Sequence, residues 1–239
     1  MTDGTSPNFS VVSAVEQFLT DPALGGRRVN VTAGTVLQEI GQKAKSVFFV
    51  HAGQVRVHQI GRDHEARLVE ILGPGEWLGS NALASEDSND TRATAVVATV
   101  VTEVPADKVL AALERNSLAA VELIRQLAKR VLDARQDAAR LVFDDCNERL
   151  IKTLLRFANS AAATQRETGV VLRITHQQLA QAVGVARETV SLALTQLRHR
   201  NLLQTGRNQL IFDPEQLRKY HANGKTQPVA AVQTVTVGA

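Results

Sequence analysis

The 239-residue sequence has one cysteine, Cys146, and few aromatic residues, which make up 4% of the chain. A single thiol excludes a disulfide framework within the chain and an iron–sulfur cluster held by four cysteines. No apolar run approaches the ~20 residues that a membrane-spanning helix needs. The first ten residues lack a basic segment followed by an apolar stretch, so no signal peptide is expected. These absences predict a protein of the reducing cytoplasm.

The charge of the chain is unevenly distributed, although the net charge is only +3. Residues 148–220 contain 11 Lys and Arg against 5 Asp and Glu, whereas residues 1–147 contain 15 against 19. A basic C-terminal module beside a mildly acidic N-terminal one indicates that the C-terminal module faces a polyanion, such as nucleic acid.

The pattern of apolar, β-branched and glycine residues divides the chain into parts with different predicted structures. Short β-branched runs separated by glycines in 27–104 predict an antiparallel barrel or sandwich, preceded by a short helix over 11–19. Helical periodicity then predicts one long helix and a hinge, and the basic module alternates short helices and strands, which makes the fold class α+β. The predicted parts are a loose N-terminus 1–10, the barrel 11–105, the helix and hinge 106–144, the basic module 145–220 and a disordered tail 221–239.

Within the predicted barrel, one pair of strands is expected to form a hairpin, and another pair is expected at its end. The segments 47–50 and 55–57 flank Ala52-Gly53, and 92–99 is followed directly by 100–104. The segment 76–84 lacks the strand pattern and is predicted to form a short helix or a long loop. Such an insertion is a plausible place for a ligand.

The segment 175–200 predicts two short helices joined by a tight turn. Thr175 is a suitable N-cap with Gln178 as its capping-box partner, and Gly184 tolerates the positive φ that the turn needs. Four polar side chains crowd the start of the second helix: Arg187, Glu188, Thr189 and Ser191. There a recognition helix presents Arg to guanine, Glu to cytosine and Thr to the thymine methyl. The alternative is a solvated polar face on an ordinary helical hairpin.

The surroundings of this hairpin favour a winged helix-turn-helix. A helix over 148–158, capped by Asp145 or Asn147, and a strand over 170–174 precede it, and 202–204 and 209–212 predict a β-hairpin after it. Arg207 lies at the hairpin tip, where it is placed to contact a phosphate, although an exposed arginine in a turn needs no function.

The long helix carries a heptad pattern of apolar residues. Its members follow alternating steps of three and four residues: Ile124, Leu127, Val131, Ala134, Ala138 and Leu141. Leu123 and Leu132 lie on another side, where they are expected to cover the barrel. We favour a parallel two-helix homodimer seam over a purely intramolecular face.

In this order, the parts resemble the Crp–Fnr family of bacterial transcription regulators over about residues 11–213. The resemblance is strongest at ITHQQLAQAVGVARETV, residues 174–190. It implies a cyclic-nucleotide-binding-like jelly-roll barrel, a homodimer, a pseudo-palindromic site in double-stranded DNA and contact with RNA polymerase. The family's base-contacting trio corresponds to Arg187, Glu188 and Thr189. Its phosphate-contacting positions correspond to Thr175, His176 and Gln177. The usual second arginine is replaced by Leu192, which leaves part of the half-site undefined.

The effector end departs from the family pattern. Gly79 and Arg92 of the phosphate-binding cassette are retained. The family's ribose-binding glutamate is replaced here by Ser80, and the hydroxyl residue that follows the arginine is replaced by Ala93. The family's adenine-contacting pair corresponds to Ala134 and Arg135. Each lost hydrogen bond costs about 1 kcal/mol or more, so cyclic AMP is not expected to bind. Arg92 then binds another anion or pairs with a nearby carboxylate.

The sequence also bears on other kinds of sensor and on other functions. An iron–sulfur cluster lacks its cysteines, and a haem would need axial ligands from His51, His58 or His64, although isolated strand histidines are usually structural. A barrel that senses nothing is a further alternative. A dimeric DNA-binding regulator is better supported than a ligand-binding module that acts through protein contacts. An enzyme is not expected, because no catalytic motif is present.

Overall fold

The computed structural model describes residues 13–61, 66–84, 86–160, 163–166 and 169–224. The segment 1–10, predicted to be loose, and residues 225–239 of the predicted tail lie outside the described residues. Within the described part, no helix is both long and apolar enough to cross a membrane.

The N-terminal half is a sandwich of two four-stranded antiparallel sheets. The strands are β1 Arg27–Val31, β2 Val36–Gln38, β3 Ser46–Ala52, β4 Val55–Ile60, β5 Ala66–Leu72, β6 Trp77–Leu78, β7 Thr91–Ala95 and β8 Thr99–Pro105. One sheet has the order β1-β8-β3-β6 and the other β2-β7-β4-β5. This is the strand order of a jelly roll, so the predicted fold class is confirmed.

The predicted hairpin around Gly53 is wrong, and the strands of the last predicted pair do not pair with each other. β3 pairs with β6 and β8, whereas β4 belongs to the other sheet, and β7 and β8 are likewise divided between the sheets. The turn after β3 therefore carries the chain across the sandwich. Gly53 makes this crossing at φ +93°, where an added Cβ would lie 2.4 Å from the Thr99 hydroxyl oxygen. Two consecutive strands joined at a glycine have the same local sequence pattern whether they pair with each other or lie in different sheets.

The barrel has one core between its sheets and a second under its helices. The inter-sheet core includes Val50, Val55, Val57, Leu72, Leu78, Ala93 and Val101. Helix α1, Ala14–Leu19, begins at Ser13, whose hydroxyl accepts a hydrogen bond from the Glu16 amide. It packs with Phe49 and Trp77 in the second core. The expected short helix in the 76–84 insertion is α2, Ser80–Leu83.

The helical pattern after the barrel forms two helices instead of one. Helix α3 is Ala106–Leu113 and helix α4 is Ser117–Phe143. Asn116 starts the second helix, because its side-chain oxygen accepts a hydrogen bond from the Ala119 amide at 3.0 Å. The 27 residues of α4 make a rod of about 40 Å.

The C-terminal domain is a winged helix-turn-helix with one additional helix. Its elements are α5 Cys146–Ala158, β9 Thr164–Arg166, β10 Gly169–Leu172, α6 His176–Val183, α7 Arg187–His199, β11 Leu203–Gly206, β12 Gln209–Phe212 and α8 Pro214–Gly224. The sheet order is β11-β12-β10-β9. Asp145, one of the two predicted caps, starts α5 in a capping box with Glu148.

The predicted disordered tail needs correction at its start, because His221–Gly224 are the last residues of α8. The helix is held by Leu217, which is fully buried against the domain core. The Arg200 guanidinium lies 5.3 Å from the centre of the Tyr220 ring. The sequence analysis did not predict α8, because this helix is mostly polar and only part of one face is buried.

The barrel and the C-terminal domain pack directly against each other. Leu68 and Ile71 of β5 belong to the same buried cluster as the core of the helix-turn-helix. Arg56 of β4 donates a 2.7 Å hydrogen bond to the Arg173 carbonyl, just before α6. Arg56 is only 8% exposed, and burial lowers the pKa of its guanidinium to about 10. The alternation Val55-Arg56-Val57 directs this arginine away from the barrel core.

Candidate nucleic-acid interface

The first helix of the motif is fixed at both ends by its own sequence. The Thr175 hydroxyl accepts from the Gln178 amide at 3.2 Å, and the Gln178 side chain accepts from the Thr175 amide at 3.0 Å. At the other end Gly184 adopts φ +76° and donates to the Ala180 carbonyl at 2.8 Å. The predicted capping box and left-handed turn are therefore present.

The second helix, α7, is divided into a buried and an exposed face. The buried face consists of Val190, Ala193, Leu194 and Leu197. The exposed residues at its start are Arg187, Glu188 and Thr189. Because burial of the apolar face determines the helix rotation, these three side chains project into solvent on the outside of the domain.

A hydrogen bond links the starts of α6 and α7. His176 Nδ1 lies 3.0 Å from Ser191 Oγ. Burial, and secondly the charge of Arg187, lowers the pKa of His176 below its usual value. Ser191 is half-buried and engaged with this imidazole, while Gln177 beside it is exposed. The structure therefore brings His176, Ser191 and Arg187 together.

Arg207 lies at the tip of the wing. It is exposed in the turn between β11 and β12, whose register runs from Leu203–Phe212 to Gly206–Gln209. Asn208 completes the turn at φ +57°, a conformation that asparagine tolerates. The wing predicted from sequence is present.

The residues aligned with the effector cassette occupy separate environments. Gly79 adopts φ +104°, and an added Cβ would lie 2.4 Å from the Ser46 carbonyl oxygen, so packing alone requires glycine there. Ser80 is the first residue of α2 and is half-buried. Arg92 is exposed on β7 with its Nε 3.2 Å from Glu39 Oε2, whereas Ala93 faces the opposite way and is fully buried. Pairing of Arg92 with a carboxylate is one of the two outcomes that its sequence position left open.

The candidate haem-ligand histidines that the structure describes are partly buried on strands of the sandwich. His51 Nε2 lies 2.7 Å from the Thr102 hydroxyl, and its ring meets Phe49 edge-on at 5.0 Å. His58 is half-buried on β4, and burial followed by the charges of Arg56 and Arg92 lowers its pKa. His64 lies outside the described residues. Among the described residues, no group of three or more His, Cys, Asp or Glu could hold a metal ion.

Helix α4 has one face against the barrel and one in solvent. Trp77 Nε1 donates to Gln126 Oε1 at 2.7 Å, and Arg130 donates to the Trp77 carbonyl at 2.6 Å while its guanidinium lies 4.3 Å from the ring centre. Leu123 is buried on this side as expected. Leu132, also expected here, is instead 55% exposed.

Most of the predicted dimer seam lies on the exposed face of α4. Ile124 is 64% and Val131 51% exposed, and Ala134 and Ala138 are exposed as well. Leu127 is only half-exposed, because it packs partly against the barrel core. The side chain of Leu141 lies outside the described residues. The seam prediction missed Leu118 and Val121, which extend the exposed apolar stripe toward the start of the helix; Arg135 is exposed near its middle.

Two family models match the two halves of the chain. Residues 28–116 match a cyclic nucleotide-binding domain and residues 148–220 match a Crp-like helix-turn-helix domain. A CRP-like cAMP-activated global transcriptional regulator from Mycobacterium tuberculosis is 27% identical over 190 residues, which are 77% of this chain and 83% of that protein.

Solved structures share the same architecture. The c-di-GMP responsive global regulator CLP of Xanthomonas campestris superposes with a TM-score of 0.66 at 25% identity, over 83% of this chain and 97% of that one. FixK2 from Bradyrhizobium japonicum superposes with a TM-score of 0.70 over 86% and 99% of the two chains, and at 21% identity this similarity concerns the fold alone.

A jelly-roll barrel joined by a long helix to a winged helix-turn-helix defines a DNA-binding transcription regulator. The chain belongs to the Crp–Fnr family of these regulators.

Proposed function

We propose that two copies of the chain pair along the exposed face of α4 and bind a pseudo-palindromic site in double-stranded DNA. Two-fold symmetry then places the two α7 helices in successive major grooves, about 34 Å apart. The observation that carries this proposal is the exposure of Arg187, Glu188 and Thr189 at the start of a helix whose other face is buried. With chromosomal DNA as the target, the protein acts in the cytoplasm.

Base and phosphate contacts are divided between the ends of the motif. Arg187 and Glu188 contact base edges, with Thr189 beside them, and Ser191 supports the surface through His176. Phosphates are contacted by Thr175, His176 and Gln177 at the start of α6 and by Arg207 on the wing. Phosphate contacts determine register without sequence preference. Once bound beside a promoter, the dimer is placed to contact RNA polymerase.

Selection of bound sequences from random duplex DNA tests this assignment. We expect two inverted half-sites separated by about one helical turn, and binding that weakens steeply with salt. A monomeric site, or no binding to duplex DNA in dilute buffer, would contradict the proposal. The second outcome would favour a module that acts through protein contacts.

The barrel is proposed to respond to a ligand other than cyclic AMP, if it responds to any. Ala93 has no hydroxyl and lies in the barrel core, and the Arg92 guanidinium already has Glu39 as its partner. Ser80 and Ala134 also lack the groups that the family uses for ribose and adenine. An effector would act by shifting the population of geometries about Asp144, whose carboxylate lies 2.6 Å from Lys152 Nζ.

Cyclic AMP at millimolar concentration should therefore leave both the thermal midpoint and the DNA affinity unchanged. Differential scanning fluorimetry and fluorescence anisotropy with the selected site measure the two quantities. A rise in midpoint that saturates with cyclic AMP would overturn this prediction.

A further inference from the structure

Leu192 is a large apolar side chain in an unusual position on α7. It is 63% exposed, while its neighbours Ala193 and Leu194 are buried in the domain core. It therefore contributes little to the packing that determines the helix rotation. A single exposed leucine is ordinary on a protein surface, so its location decides whether it has a role.

Leu192 lies on the DNA-facing side of α7, four residues after Glu188. Residues four apart lie one above the other on the same face of a helix, about 6 Å apart along its axis. Glu188 is exposed and belongs to the proposed base-contacting trio. Leu192 thus continues that surface by one turn.

The polar side chains next to Leu192 are occupied within the protein. Ser191 Oγ lies 3.0 Å from His176 Nδ1, and the Thr195 hydroxyl donates back to the Ser191 carbonyl at 2.9 Å. Both residues are half-buried, whereas Leu192 projects into solvent. At this level of the helix, the leucine side chain is therefore the group best placed to reach a base edge.

We infer that Leu192 is a specificity-determining residue that packs against the C5-methyl group of a thymine in each half-site. This inference rests on the proposed binding of α7 in the major groove. The thymine methyl is the apolar group that base edges present there, and leucine has no donor or acceptor for the polar groups. Contact with the methyl removes apolar surface of both partners from water.

Replacing thymine with deoxyuracil tests the contact, because the two bases differ only in the methyl group. Each thymine of the selected half-site is replaced in turn, in both half-sites at once, and the Kd is measured at one salt concentration. For the unchanged protein, we expect one position at which deoxyuracil weakens binding about fourfold per half-site, the effect of losing one buried methyl-sized group.

Two variants identify the protein side of the contact. Leu192→Ala should bind the thymine site more weakly and should no longer distinguish thymine from deoxyuracil at that position. Leu192→Arg should shift the preferred base at or beside that position to guanine, which arginine contacts bidentately. Leu110→Ala is the matched control, since Leu110 is also an exposed leucine but lies on α3, outside both the seam and the DNA-binding domain; it should keep the full methyl preference.

The outcomes separate this inference from the proposed function. Specific duplex binding without a thymine-over-deoxyuracil preference, or a preference that survives in Leu192→Ala, overturns the role of Leu192 and leaves the DNA-binding assignment standing. Failure of the unchanged protein to bind duplex DNA overturns both. Loss of the preference in Leu192→Ala alone supports the contact.

Discussion

At the start of α7, adjacent residues have opposite environments. Arg187, Glu188 and Thr189 are exposed, and the next residue, Val190, is fully buried. Because the side chains at the start of α7 do not contribute to the core, substitutions there should change DNA recognition with little effect on folding. This separation makes the base-contacting assignment testable by mutation.

Arg187→Ala should relax the sequence preference at one base pair, at a cost of about 1–3 kcal/mol on the preferred site. Gln177→Ala, at the start of α6, should instead weaken binding to all sequences alike and reduce the salt dependence. Anisotropy titrations with the selected site and with random DNA measure both effects. Equal loss on the two DNAs for Arg187→Ala would count against a base contact.

His58 should make the stability of the protein depend on pH. Burial, and then the charges of Arg56 and Arg92, lowers its pKa, so the folded state favours the neutral imidazole. Its contribution is fully present above the unfolded pKa of about 6.5 and is lost as pH falls through the lower folded value. Chemical denaturation from pH 7.5 to 5 should show a shallower decline for His58→Gln than for the unchanged protein. Identical slopes would show that His58 does not titrate differently on folding.

At the scale of elements, α4 has two faces with different partners. One is held to the barrel by Trp77, Gln126 and Arg130, and the other presents Ile124 and Val131 to solvent. An exposed stripe of this kind along about 40 Å is typical of a helix that packs against a second copy. Since three heptads alone are marginal, other contacts must contribute to the proposed dimer.

Ile124→Glu should shift the protein from dimer to monomer, because it would place two carboxylates opposite each other in an apolar seam. Sedimentation equilibrium measures the change, and affinity for the full palindrome should fall at least tenfold while the barrel fold is retained. Lys129→Glu, on the same helix but away from the seam, is the control and should remain dimeric. A dimeric Ile124→Glu variant would place the interface elsewhere.

At the scale of the whole molecule, the barrel and the DNA-binding domain share buried surface. Ile71 lies in the cluster formed with the helix-turn-helix core, whereas its neighbour Leu72 lies in the inter-sheet core. Arg56 adds a hydrogen bond to the Arg173 carbonyl, two residues before the N-cap of α6. The barrel therefore contacts the start of the DNA-binding motif directly, so a movement of the barrel would be transmitted to this motif.

Ile71→Ala should destabilise the protein by about 2–5 kcal/mol and separate the unfolding of the two domains. Calorimetry should show two transitions for this variant where the unchanged protein shows one. Leu72→Ala removes the same kind of side chain from the barrel interior, so it should lower stability without separating the transitions. Identical calorimetric profiles for the two variants would contradict the idea that Ile71 makes the two domains unfold together.

The sequence by itself determined the elements whose causes are local. The capping box of Thr175 and Gln178, the left-handed turn at Gly184 and the buried periodicity of α7 all act within a few residues, and all are present. The exposure of the side chains proposed to contact bases follows from that periodicity, because burying one face of a helix exposes the other.

Only the tertiary structure decided which strands pair and what the domains bury between them. The chain around Gly53 has the local pattern of a hairpin, yet its strands lie in different sheets, since pairing depends on strands distant in sequence. Likewise Arg56 resembles any outward-facing strand arginine until the DNA-binding domain covers it. Neither result follows from local propensity, because burial is a property of the assembled surfaces.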